Sequence, residues 1–324
     1  MASRLLLSAT LFASVFAASS VFAASSAFAY PVTVKSCDRE VTFDAPPARA
    51  ISNDVNLTEM MLALKLQDRM VGYTGISGWK TLDEGLREGV KELPELSPKY
   101  PTKEVLLNAD ADFYFAGWNY GMKVGGEVTP ETLEPFKIKV YELTESCIHI
   151  MAKNKPTMDD MFVDLLNLGK IFGVEDRAEA LVAGYRKQLD DITTRIGGIE
   201  KPVRVFVYDS GTEKPFTSGR FGIPTAMIEA AGGVNIMEDV EKSWTEVSWE
   251  PVIERNPEVV VIVNYGDVTA EQKIAFMKEN PAFKNLDAVK QDRFVVLEYV
   301  EATPGPRNVQ AIERLANTFH PRNM

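Results

Sequence analysis

The chain has 324 residues, 45% of them hydrophobic, with 35 Lys and Arg against 46 Asp and Glu. That length accommodates two domains of ordinary size, each with its own core. The net charge of −11 excludes a nucleic-acid surface or an anionic lipid surface as principal partner, because both require a basic footprint.

The first residues, "MASRLLLSATLFASVFAASSVFAASSAFA", place one arginine, Arg4, ahead of an apolar and small-residue stretch that closes on Ala27-Phe28-Ala29. This is the pattern of a secretory signal with an A-x-A cleavage site. Serine and alanine dilute the stretch too far for a membrane span. Cleavage after Ala29 predicts a periplasmic protein of 295 residues carrying 34 basic and 46 acidic side chains, with no cysteine directly after the site to accept a lipid. In an oxidising compartment the two cysteines, Cys37 and Cys147, predict a disulfide; two free buried thiols are the alternative.

"PVTVKSCDREVTF" alternates as a hairpin with its turn near "CDR", and "ARAISN" reads as a short strand. Leu57, Met60, Met61 and Leu64 keep helical spacing in "LTEMMLALKL". Strand "MVGYTG", helix "KEVLLNAD", strand "ADFYFAG", short helix "ETLEPF" and strand "KVYEL" follow. This alternation predicts an α/β unit with a largely parallel sheet. Residues 157–172 form an amphipathic helix with Thr157 as its cap. Beyond it, Val174, Ala178, Leu181, Val182, Tyr185, Leu189, Ile192 and Ile196 hold a spacing of three or four until Gly197 and Gly198. Such a helix reaches roughly 35 Å, more than one small lobe requires, and reads as a rigid connector. The pattern then restarts with "VRVFVY", "PTAMIEAAGG", "WEPVIERN", "EVVVIVNY", "AEQKIAFMKEN", "FVVLEY" and "NVQAIERLANTF". The predicted organisation is a signal at 1–29, an α/β lobe at 30–172, a connecting helix at 173–198 and a second α/β lobe at 199–324.

The two halves share a segment. "EVLLNADADFYFAGWNYG" begins at Glu104 and "EPVIERNPEVVVIVNYG" at Glu250; both end in Asn-Tyr-Gly after an apolar run. Ligands of parallel α/β sheets sit beyond the carboxyl ends of the strands. Loops at those ends carry Tyr73, Trp79, Trp118, Asn119, Tyr120, Tyr208, Phe216, Phe221, Trp244, Tyr265 and Tyr299, with Arg220 and Arg307 as cations. Aromatic faces with a few fixed cations suit a sizeable organic or chelate ligand.

Catalytic signatures are lacking: the chain has no G-x-S-x-G elbow, no Walker phosphate loop and no G-x-G-x-x-G. Its two histidines, His149 and His320, are too few and too distant for a bare zinc or manganese site. Any metal is therefore expected inside its own chelator.

The whole pattern resembles the periplasmic binding proteins of ATP-driven importers for iron-siderophores, haem and cobalamin. The resemblance rests on "PVTVKSCDREVTFDAPPARAI", "TEMMLALKLQDRMVGYTG", "EVLLNADADFYFAG", the connecting helix and "IEAAGGVNIMED…WTEVSWEPVIERNPEVVVIV". It implies two Rossmann-like lobes joined by one long helix, a ligand between them, and a monomeric, non-enzymatic receptor with an inner-membrane ABC permease as partner. It also implies that Glu104 and Glu250 dock against permease arginines. Where haem receptors of this type place an iron-ligating tyrosine, this chain has Ser97 with Tyr100 close by, which points away from haem. The expected ligand is a ferric siderophore or similar chelate, with a corrinoid as the rival. A rival of another class is an exported α/β enzyme using Asp209 or Glu301 as base. A structural or adhesive role stands third.

Overall fold

The computed structural model describes residues 30–78, 80 and 82–321. The expected signal segment and Trp79 lie outside them. Val32–Ser36 (β1) and Arg39–Phe43 (β2) pair antiparallel, as the alternating sequence predicts. Next come β3 (Ala50–Asn53), α1 (Val55–Ala63), β4 (Met70–Thr74), α2 (Glu84–Gly89), β5 (Glu95–Ser97), α3 (Lys103–Asn108), β6 (Phe113–Trp118), β7 (Gly121–Met122), α4 (Pro130–Leu133) and β8 (Lys139–Glu142). The sheet runs β5-β4-β3-β6, with β7 and β8 both pairing β6, and every named pair is parallel. All six residues of β6 are buried. A strand covered on both faces reads as a continuous apolar run, which is why "FYFAGW" does not alternate.

Two helices then lie back to back. α5 (Met158–Phe172) opens on a Thr157 capping box, and α6 (Glu175–Ile196) runs 22 residues, about 33 Å at 1.5 Å per residue. A Cβ added to Gly169 of α5 would stand 2.5 Å from the Ala178 Cβ of α6, so the glycine sets how closely the helices approach. α6 buries Ala178, Val182, Tyr185, Ile192 and Ile196 and ends at Gly197, whose φ of 69° favours glycine. One apolar cluster continues from Val34, through these α6 side chains, to Phe319 near the end of the chain. The helix is thus welded to both halves.

The second half comprises β9 (Val203–Tyr208), β10 (Phe216–Ser218), α7 (Ile223–Ala230), β11 (Gly233–Asn235), β12 (Trp244–Glu246), α8 (Trp249–Arg255), β13 (Val259–Asn264), α9 (Ala270–Glu279), α10 (Asp287–Lys290), β14 (Phe294–Glu298), α11 (Tyr299–Ala302) and α12 (Asn308–Phe319). Its parallel sheet has the order β11-β9-β13-β14, and β10 and β12 form a separate antiparallel ribbon. The architecture is α/β: two mainly parallel sheets joined by the long α6. No helix among the described residues is long and apolar enough to cross a membrane.

The internal repeat has a structural counterpart. α3 leads into β6, which lies between β3 and β8; α8 leads into β13, which lies between β9 and β14. The N-caps are Thr102 and Ser248, and Glu104 and Glu250 each stand two residues later, exposed in the first turn. Cys37, at the β1–β2 turn, is bonded to Cys147 across a separation of 110 residues.

Candidate ligand cleft

A cavity of about 360 Å³ opens between the halves. Small-molecule sites usually have volumes of this order. Tyr100, Asn119, Tyr120 and His149 line it from the first half; Asp209, Phe216, Ser243, Trp244, Val263, Tyr265, Tyr299, Ala302 and Thr303 line it from the second. The two Asn-Tyr-Gly termini explain themselves here. Tyr120 follows β6 and Tyr265 follows β13, and the two rings reach one cleft from opposite lobes. After β6 the chain makes a tight turn through Asn119 at φ 67° and Gly121 at φ 104°. A Cβ on Gly121 would meet the Tyr114 hydroxyl at 2.5 Å, so only glycine fits.

Aromatic pairs form much of the second-half wall. Phe216 and Trp244 come from the β10–β12 ribbon, with ring centroids 6.0 Å apart and planes 16° from parallel. Tyr265 and Tyr299 meet at 5.2 Å and 59°. The polar groups are tightly engaged. The Tyr265 hydroxyl donates to Asp209 Oδ1 at 3.1 Å, and the Ser210 hydroxyl donates to the same oxygen at 2.7 Å. The Tyr299 hydroxyl crosses between halves to Asp54 Oδ2 at 3.0 Å. Tyr100 donates to the Asn119 carbonyl, and Asn119 Nδ2 lies 3.2 Å from His149 Nε2. Burial raises the pKa of Tyr100, Tyr120, Tyr265 and Tyr299, so all four phenols stay protonated near neutral pH. Desolvation raises Asp209, against the opposing pull of Ser210, Lys273 and Tyr265. Desolvation, aided by Lys242, lowers His149 and favours its neutral ring.

Of the residues expected from sequence, Asn119, Tyr120, Phe216, Trp244, Tyr265 and Tyr299 are brought together in this cavity. Others serve elsewhere. Trp118 is 5% exposed and packs in the cluster that contains Cys37 and Cys147. Its indole N–H donates to Glu142 Oε1 at 2.8 Å, so this ring completes a core rather than the cleft wall. Tyr208 is buried against Phe206 and Trp249. Tyr73 packs with Val55, Ile76 and Val300. Arg220 is exposed beside Glu241, and Phe221 is half-buried, neither lining the cavity. Arg307 is held by Glu59 at 2.6 Å and by Asp83, which ties the second half to the first. Glu301 is bound by Arg314 and by the Glu298 amide, and does not line the cavity.

Sequence reasoning passed over Tyr100, Asp209 and His149 as ligand residues, and Val263, Ala302, Thr303 and Ser243 altogether. The last lies in a charged surface stretch with no periodic signal; it reaches the cleft only because β12 pairs with β10.

Glu145 lies directly beneath the cleft. It is fully buried, accepts a 3.5 Å hydrogen bond from the Ser243 hydroxyl of the other half, and leaves Oε2 without a partner. Desolvation pushes its carboxyl up to about 8, Lys153 pulling it down and Asp160 up. Its folded pKa is thus above the unfolded value, so its contribution to stability is full below about pH 4.5 and is lost as pH rises toward 8. Chemical denaturation at pH 5 and pH 8 is expected to show a fall on the order of 3 kcal/mol that Glu145→Gln removes. An unchanged pH slope in the variant would show that the carboxyl is already ionised in the folded state.

Comparison with known proteins agrees with this architecture. Residues 52–299 match the family described as "Periplasmic binding protein". A crystal structure of a periplasmic binding protein from Veillonella parvula is 30% identical and superposes with a TM-score of 0.79, covering 90% of this chain and 99% of that one. The structure titled ABC-type Fe3+-hydroxamate transport system, from Saccharomonospora viridis, is 26% identical with a TM-score of 0.76, over 90% and 99% of the two chains. A cobalamin-binding protein of Halobacterium salinarum is 24% identical over 303 residues, 90% of this chain and 75% of its own.

Proposed function

The chain belongs to the periplasmic binding protein family, and from that membership we propose that its cleft receives a ferric siderophore or similar metal chelate. The family is non-catalytic, and the protein is the extracytoplasmic substrate-binding component of an ABC importer. It binds a small ligand and delivers it to a membrane permease. The observation that carries the chelate reading is the pairing of Tyr120 and Tyr265 from the two repeated units across one aromatic-lined cavity. The similarity to a hydroxamate transport protein supports it. A corrinoid is the second reading, favoured by the cobalamin-binding relative. Glu104 and Glu250 are proposed as the docking carboxylates, one per lobe.

Tryptophan fluorescence tests the chelate reading. Ferric hydroxamate and catecholate siderophores, haem and cobalamin are titrated into wild-type protein, Trp244→Ala and Trp118→Phe. One iron chelate is expected to quench at submicromolar concentration. Trp244→Ala is expected to weaken it at least about tenfold, as loss of a central aromatic anchor does. Trp118→Phe, in the core, is expected to leave the affinity unchanged. Preference for cobalamin would select the second reading, and silence across the panel would remove both.

A further inference from the structure

The cleft has an unusual balance of charge and of hydrogen-bonding capacity. No Lys or Arg is among the described residues that line it, and Asp209, 4% exposed, is the one carboxylate that does. The nearest cations do not line the cavity but stand behind its lining residues, engaged by the protein. Lys273 donates to the Val263 carbonyl at 2.6 Å and lies 5.3 Å from the Tyr265 ring centroid. Lys80 pairs with Asp54 and lies 4.4 Å from the Tyr299 ring centroid. Lys242 acts on His149 but is exposed and does not line the cavity.

The hydroxyl protons of the second-half wall are spent within the protein. Tyr265 donates to Asp209, Tyr299 to Asp54, Thr303 to the Tyr299 carbonyl at 3.0 Å and Ser243 to Glu145. Each oxygen therefore offers only lone pairs to a ligand. Apart from the Trp244 indole N–H, which engages the Tyr120 side chain of the other half, that wall is a surface of acceptors with a carboxylate in it, faced with aromatic rings that also favour cations. A ligand must bring its own donors to it, since a buried acceptor left unpaired costs affinity.

We infer that the cleft selects chelates of zero or positive net charge bearing N–H or ammonium donors, and rejects polyanionic ones, with Asp209 as the residue that sets the discrimination. This deepens, and rests on, the reading of the protein as a chelate receptor. Three singly charged hydroxamates neutralise Fe(III), whereas three doubly charged catecholates leave a trianion. The trianion would face Asp209 with no lining cation to offset it, which is specificity by repulsion.

The test compares a neutral ferric trihydroxamate, an analogue with a pendant ammonium, and a ferric tris-catecholate, on wild-type protein and Asp209→Asn. The ammonium form is expected to bind tightest and the tris-catecholate at least about 100-fold more weakly. Asp209→Asn is expected to narrow that gap about tenfold, and added salt to weaken the ammonium form most. The wild-type ratio and its salt dependence need no variant, so they decide the matter even if Asp209→Asn fails to fold. Tris-catecholate binding as tight as the hydroxamates overturns the charge selection, and a gap unmoved by a folded Asp209→Asn overturns the part assigned to Asp209; either leaves the receptor reading intact. Failure of all three ferric chelates to bind overturns both the charge selection and the siderophore reading.

Discussion

Replacing Glu104 and Glu250 together by arginine is expected to lower ligand uptake through the permease by two orders of magnitude or more, with ligand affinity unchanged. Both carboxylates are exposed, and neither lines the cleft. They occupy the same place in two equivalent helix–strand units, two residues beyond Thr102 and Ser248. Hydrogen bonding holds both pKa values low, from the Glu104 amide and then Thr102 in one case, from Ser248 and then the Glu250 amide in the other, so both are ionised under any physiological condition. If the two carboxylates meet permease arginines as proposed, a like charge there costs several kcal/mol at an interface, and reversal at both lobes would remove both proposed anchors. Uptake by cells, measured beside affinity for the same labelled chelate, separates docking from binding. Wild-type uptake by the double variant would reduce these residues to ordinary helix N-terminal carboxylates. Single variants are expected to retain partial uptake, because one proposed docking carboxylate remains.

Loss of the Cys37–Cys147 bond is the second large effect expected. The bond closes a loop of 110 residues, and the chain-entropy argument assigns such a loop about 5 kcal/mol. That corresponds to a fall of about 10 °C in Tm for a chain of this size. The β1–β2 hairpin keeps other contacts after the bond is broken: Arg39 and Ser36 both hold Glu142, at 2.7 and 2.9 Å. The double variant Cys37→Ser/Cys147→Ser is therefore expected to fold, with its denaturation midpoint lowered and its ligand affinity retained. Treatment of the wild type with reductant should reproduce the shift. A loss below about 1 kcal/mol would mean that the unfolded chain is already compact around this segment.

Much of the architecture was legible because it is written in local periodicity. The eight apolar positions from Val174 to Ile196 specify one face of one helix, and α6 runs Glu175–Ile196. Thr157 before Asp160 specifies a helix start, and the capping box is there. Four short elements, α2, β5, β10 and β12, were not legible. α2 buries only Leu86, β5 has three residues at a sheet edge, and β10 and β12 have three residues each. Segments of that length carry no period to read; they are held by partners far away in the chain.

The same division governs the site. From the sequence alone follow the α/β class, the long connecting helix, the repeated Asn-Tyr-Gly unit, the paired Glu104 and Glu250 and the resemblance to a chelate receptor, because each is a pattern within a few tens of residues. Only the tertiary structure decides which aromatic rings face the cleft. Trp118 and Tyr120 are two residues apart, yet one turns into the disulfide core and the other into the cleft, because Asn119 between them takes a left-handed φ of 67°. Phe216 and Trp244 become one stacked pair through a ribbon between segments 28 residues apart. Arg307, as a loop cation, could serve a ligand; Glu59 and Asp83, far earlier in the chain, claim it for holding the halves together. A side chain's chemistry is local, but its direction and its partners are set by contacts between distant segments, and those contacts leave no period in the sequence.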